Sequence, residues 1–339
     1  ETVYPVAGDR WSDYRCELMV NLSRDRILTP ARRANPNVKL IIKFPEWYDR
    51  FQRDGYEIVR ETADFDRTWV GTETRDYDDW EYGGRPQYQA YFVMRWLAGF
   101  SGATCGGGWY DPYGTTEHSY VEQARQTVLA GAAESLLFCY GSLLEQTGPA
   151  NVAALRGCMP ELQCVAAEVG KRQPTGVAAY KPPNSDGGES DWHVFDFIGM
   201  MGIPLAPCHT FPAGAAAAFF SLHAMKDSGL TEKLTALIGR DVPVLVTAAL
   251  AEQLAGRVEL GRPNVRILPV MDKPKALLEL SRDEADAIRA PLLAPFGRTF
   301  TGPNNVGLYL FAEGSSVVEN FSDDPVTVSL DGDEIGIAP

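Results

Sequence analysis

Clustered positive charge is missing from this chain: 31 Lys and Arg stand against 45 Asp and Glu, a net charge of −14, and the basic residues are scattered. Nucleic acid and anionic membrane surfaces bind concentrated cations, so neither is expected as a partner. Long apolar runs are missing too; the longest, around residues 214–220 and 242–250, fall well short of a membrane span. Histidine occurs only at His118, His193, His209 and His223, never as HExxH. The cysteines, Cys16, Cys105, Cys139, Cys158, Cys164 and Cys208, include no CxxC pair and sit mostly in apolar settings. They read as buried thiols rather than a disulfide framework or zinc site, and no metal or cofactor is expected. No GxSxG provides a serine nucleophile. Gly106-Gly107-Gly108 is neither a Walker loop nor part of GxGxxG, which argues against a nucleotide. No signal peptide opens the chain. A start at Glu1 rather than Met is read as a mature form or a fragment of a soluble protein, with periplasmic, secreted and cytoplasmic locations all open.

What is present is an ordinary globular composition, 45% hydrophobic and 22% charged, in a chain long enough for two or three domains. Strand-like runs at residues 38–44, 68–71, 101–105 and 135–140 recur about one βα unit apart. Helical patterns at residues 87–100, 117–131 and 150–170 alternate with them, and residues 11–34 form one more amphipathic helix in front. Four such units make half of an eight-stranded barrel, whose two open edges call for further units or another partner. After residue 172 the pattern becomes a smaller doubly wound domain, with strands near 176–180, 203–207, 242–247 and 265–268 and helices at 192–201, 213–226 and 230–238. From about residue 293 short strands split by Glu313-Gly314, Asp323-Asp324-Pro325 and Asp331-Gly332 form a small antiparallel unit. The expected layout is therefore a partial (β/α)8 barrel (1–172), a doubly wound domain (173–292) and an antiparallel β domain (293–339).

Three runs, LIIKFPEWY, TWVGTETRDY and GGGWYDPYG, lead from a strand into acid and aromatic residues, where parallel α/β folds bind ligands. Trp47, Trp69, Trp80, Trp109, Tyr48, Tyr110 and Tyr113 offer flat faces, while Glu46, Glu73, Arg75, Asp76 and Asp111 offer hydrogen bonds and proton transfer. That mixture suits a neutral sugar. Taken singly, each carboxylate also suits a structural role and each tryptophan a core one; the grouping is what points to a site. Glycoside hydrolysis needs a protonated and an ionised carboxyl, and the candidates are Asp111, Glu73 and Glu46, with Arg75 or Lys43 expected to keep Glu73 ionised. Trp47, Trp109, Tyr110 and Tyr113 are the expected sugar platforms, with Lys43 and Arg75 binding hydroxyls. The glycines at 106–108 are expected to allow close ligand approach. Cys208-His209 lacks the sharp glycine-flanked turn of a nucleophile, and AAAAFF (215–220) reads as helix core.

WVGTETR and GGGWYDPYG in a βα barrel, then FDFIGMMGIPLAP in a doubly wound domain and SSVVENFSDDPVTVSL in a strand-rich tail, resemble bacterial β-galactosidase-like glycoside hydrolases. The resemblance implies barrel strands five to eight, a flavodoxin-type, amidotransferase-like domain without amidotransferase chemistry, and a small β domain. It further implies an oligosaccharide or glycoside as substrate and leaves a homo-oligomer through the doubly wound domain open. The family's general acid follows the fourth barrel strand in an Asn-Glu pair that this sequence lacks. Its nucleophile follows the seventh, where this sequence has Asp111. Two further readings remain: a non-catalytic carbohydrate-binding or assembly protein, and an amidotransferase-like enzyme centred on Cys208.

Overall fold

The computed structural model describes residues 10–75, 84–270 and 273–339. Four parallel strands, β1 (Ile41–Phe44), β2 (Arg67–Gly71), β3 (Cys105–Tyr110) and β4 (Glu134–Leu137), lie side by side in chain order. Parallel neighbours need long crossovers, and here they contain the helices Ile58–Asp64, Gln89–Ser101 and Glu117–Leu129. The third helix starts with a capping box: Thr116 Oγ1 accepts the Ser119 N–H at 3.1 Å, and Ser119 Oγ accepts the Thr116 N–H at 2.9 Å. Among the described residues β1 and β4 each have a strand neighbour on one side only, and Ile41 and Leu136 there are 47% and 38% exposed.

The third strand differs from expectation. Ser101 ends a helix and Gly102–Thr104 form a 3-10 turn, so the strand begins at Cys105 and contains all three glycines. Their bareness serves packing rather than ligand approach. A Cβ on Gly107 would lie 2.0 Å from the Glu134 carbonyl oxygen, and one on Gly106 would lie 2.5 Å from the Trp69 indole nitrogen.

A second parallel sheet has the strands Val177–Tyr180, Leu205–Cys208, Ala218–Phe220, Val244–Val246 and Val265–Ile267, with the first lying between the second and third. That 2-1-3-4-5 order is a doubly wound topology. Residues 213–226 are not a helix: Ala218–Phe220 is the central strand and Leu222–Lys226 a 3-10 turn. Ala218, Phe219 and Phe220 are completely buried, and a strand covered on both faces reads as a continuous apolar run that periodicity cannot tell from helix core.

One apolar core runs through both sheets. Phe92, on the helix Gln89–Ser101, stacks on Phe195, on the helix Val194–Met200, at 4.4 Å. Gly199 makes room for the Tyr88 ring; a Cβ there would come within 2.2 Å of it. The tail is antiparallel but comprises two three-stranded sheets, one of which recruits Pro174–Thr175 alongside Val306–Phe311. Buried Arg289 ties the parts together. It donates to the carbonyls of Met201, Gly302 (2.7 Å) and Pro303 (3.0 Å) and pairs with Asp286 at 2.6 Å. Among the described residues no helix is long and apolar enough to cross a membrane.

Candidate active site

Glu46, Glu73 and Asp111 follow the carboxyl ends of β1, β2 and β3, and register brings them together: Phe44 pairs with Val70, and Val70 with Gly108. Gly71 lets the turn after β1 press close, since a Cβ there would lie 2.9 Å from the Glu46 nitrogen. All three carboxyls are buried. The Glu73 carboxyl adjoins both others, while Asp111 pairs with Arg75 at 2.6 Å and Glu46 with Arg85 at 2.7 Å. Asp111 also accepts the Tyr113 N–H at 2.9 Å.

This arrangement corrects the expected charge state of Glu73. Arg75 reaches Asp111 instead, and Lys43 turns its Nζ over the rings of Trp109 (5.4 Å) and Phe138 (5.9 Å). Burial, reinforced by the adjoining Glu46 and Asp111 carboxyls, pushes Glu73 up to about 12. Glu73 is therefore a neutral acid, held between two carboxylates that each have a guanidinium.

Beside Glu46 lies a cavity of about 330 Å³, lined also by Trp47, Asp49, Arg50, Arg85, Gln89, Trp192 and His193. Trp47 and Trp192 are 40% and 38% exposed. Gln89 Nε2 donates to the Glu46 carbonyl at 2.8 Å. Asp49 accepts from the His193 N–H at 2.9 Å, and its Oδ1 lies 3.0 Å from His223 Nε2. Burial pushes the Asp49 carboxyl up, but the His223 hydrogen bond and the nearby cationic groups outweigh it and hold the group below its usual range. His193 Nδ1 meets Asp196 Oδ2 at 2.8 Å, and Tyr48 donates its hydroxyl to Asp196 Oδ1 at 2.8 Å.

The other expected site residues scatter. Trp47 lines the cavity. Trp109 is half-buried and packs edge-on against Phe138 at 5.4 Å. Tyr110 is buried against Tyr120 at 5.5 Å, on the helix side of the sheet, so it is no sugar platform. Tyr113 is exposed and bonded to Ser142. Tyr48 and Trp69 are buried. Asp76 and Trp80 lie outside the described residues.

Asp49, Arg50, Arg85, Gln89, Trp192 and His193 are the cavity residues not picked out from the sequence. Asp49 had a signal, standing three residues beyond Glu46 in FPEWYDR. Arg85 is brought back by backbone pairing, its carbonyl accepting the Arg75 N–H at 3.1 Å. Among the described residues, Asp49, His193 and Asp196 have metal-ligating geometry, with ligand atoms within 4.8 Å of one another. Here those atoms are bonded within the protein network instead. Cys208 donates to the Ala179 carbonyl and burial pushes it up to about 12, while His209 stacks on Phe100 at 4.2 Å. The two side chains go to different neighbours, and the thiol lacks the lowered pKa of a nucleophile.

Residues 5–159 match the family described as "Probable glycosyl hydrolase, catalytic domain". An uncharacterized protein of Saccharolobus solfataricus is 25% identical over 209 residues, which cover 59% of this chain and 34% of that protein. The chain thus spans about a third of that relative. The structure of Gan42B, a GH42 beta-galactosidase, superposes with a TM-score of 0.57 at 9% identity, covering 99% of this chain and 68% of that one. The chain therefore has a glycoside hydrolase-like α/β fold built on parallel sheets.

Proposed function

We propose that this chain carries the acid pole of a glycoside hydrolase and cleaves O-glycosidic bonds. The observation that carries the reading is the cluster of three buried carboxyls, Glu46, Glu73 and Asp111, at adjacent strand ends, one of which lines a cavity with two exposed tryptophans. Two tasks need two protonation states, and environments that push carboxyls apart assign them. Glu46 faces the cavity and exchanges a proton with Glu73. Passed to the glycosidic oxygen, that proton lets the bond from the anomeric carbon to this oxygen break as water supplies hydroxyl to the carbon and gives its other proton to Asp49. Glu73 adjoins both Glu46 and Asp111, closer than the roughly 5 Å that leaves room for a sugar between a catalytic pair, so the three form one pole. Asp49, a carboxylate lining the same cavity, is the second.

The two open edges of the first sheet and the likeness to a longer hydrolase support the further reading that residues 1–172 are the C-terminal half of a (β/α)8 barrel. Residues 173–292 would then be the amidotransferase-like domain, a surface for self-association, and 293–339 the β domain. Galactosides are the first substrates to try. The test is release of nitrophenol from a panel of nitrophenyl glycosides by the full chain and by Glu46→Gln. Turnover lost by at least about 100-fold in the variant supports the assignment; equal turnover sinks it. The close, guanidinium-locked contact among the carboxyls favours a second reading, a carbohydrate-binding protein without hydrolysis. Calorimetric binding of oligosaccharides with no reducing sugar released would select it.

A further inference from the structure

The cavity beside Glu46 has walls from two distant parts of the chain. The turn after β1 supplies Trp47 and Asp49, and the start of the helix Val194–Met200 supplies Trp192 and His193. We propose that Trp192 and His193 form the second half of a carbohydrate-binding site, so that a sugar ring binds between the first sheet and the doubly wound sheet. The inference rests on the carbohydrate reading above and not on hydrolysis.

Sugar rings present an apolar C–H face and a rim of hydroxyls. They are recognised by exposed aromatic faces set among fixed hydrogen-bonding groups. Trp192 has that character: it is 38% exposed in a cavity lined, apart from Trp47, by polar residues, and stacks on the His193 ring at 5.7 Å with an interplanar angle of 25°. His193 is oriented in turn. Its Nδ1 is held by Asp196, and Asp196 by the Tyr48 hydroxyl from the opposite wall, leaving Nε2 as the ring's remaining polar atom. A second link crosses the other way, because the His193 N–H donates to Asp49 at 2.9 Å and His223 lies 3.0 Å from the same carboxylate. Buried polar links of this kind fix the spacing of the two walls, so the site is formed before any ligand arrives. Nothing in the sequence near Trp192 announces this role.

The test is calorimetric titration of the full chain with D-galactose, D-glucose, D-xylose and D-glucuronate, none of which has a glycosidic bond to cleave. At least one is expected to bind. Trp192→Ala should weaken it roughly ten-fold and Trp192→Phe no more than about three-fold. Trp11→Ala, on an exposed residue of the first helix, should change nothing. A second measurement needs no variant: the bound sugar should protect Trp192 from oxidation by N-bromosuccinimide, read by mass spectrometry, and leave Trp11 unprotected. Binding unaffected in Trp192→Ala, an unprotected Trp192, or no binding of any of the four sugars up to about 50 mM, well into the weak range, each overturns the proposal. If the sugar binds as described and no glycoside is cleaved, the hydrolase reading falls and this one stands.

Discussion

Replacing Glu73 with Gln should stabilise the protein increasingly as pH rises. Burial and two adjoining carboxyls raise the Glu73 carboxyl from 4.5 to about 12 in the folded chain. Above 4.5 the unfolded chain releases this proton while the folded chain must keep it, so the folded state loses stability with rising pH until about 12 is reached. Each pH unit above the unfolded value costs a little over 1 kcal/mol, so at pH 7 the cost is about 3 kcal/mol. Gln keeps the shape and can donate to both Glu46 and Asp111, yet has no proton to hold. The stability of Glu73→Gln minus that of wild type should therefore grow by about 3 kcal/mol between pH 6 and pH 8. Urea titrations of both proteins at the two pH values, followed by tryptophan fluorescence, measure the difference. A difference that stays constant would refute a proton held at Glu73. The same substitution removes the proposed acid, so stability gained at the expense of turnover is the joint expectation.

Other perturbations follow from the same contacts. Asp49→Asn leaves His223 and the His193 N–H facing a neutral amide, and should lower the unfolding free energy by about 2 kcal/mol; a loss under about 0.5 kcal/mol in urea would contradict the network's role. Wild-type stability from Asp49, whose carboxyl sits below its usual range, should be present above pH 4 and fade as pH falls through the folded value. Arg289→Lys cannot reproduce a planar fork to three carbonyls and Asp286, and should cost about 2–3 kcal/mol by calorimetry or urea titration, whereas an exposed arginine so changed should cost little. Gly199→Ala drives a methyl into Tyr88 and should lower stability by about 1–3 kcal/mol, with Gly261→Ala, in open space, as the neutral control.

The three carboxylates were legible in the sequence because each follows an apolar run with strand character, and parallel strands put such residues at one end. Their charge states were not legible. Arg75 stands two residues from Glu73, yet its guanidinium goes to Asp111, a choice made by the register of β2 and β3. The cavity's far wall was hidden for a similar reason: Asp49 meets His193 and His223 across separations of 144 and 174 residues. Local pattern also misled twice. The glycines at 106–108 were expected beyond the strand, open to a ligand, and are strand residues, with Gly106 and Gly107 pressed against Trp69 and Glu134, while AAAAFF looked like helix and ends in a central strand. The tail's hairpins at Glu313-Gly314 and Asp331-Gly332 were legible from their turn residues, but Asp323-Asp324-Pro325 joins two different sheets instead of closing a hairpin, and the pairing of Pro174–Thr175 was not legible, since a two-residue strand has no periodicity to read.

Whether the proton held at Glu73 is the acid of a glycosidase is decided by comparing wild type and Glu73→Gln on phenyl and 2,4-dinitrophenyl glycosides of the same sugar. Phenolate needs a proton to leave and dinitrophenolate does not. The account predicts that Glu73→Gln loses about 100-fold or more on the phenyl glycoside and keeps most of its rate on the dinitrophenyl one. Equal losses on both, or none on either, would contradict it.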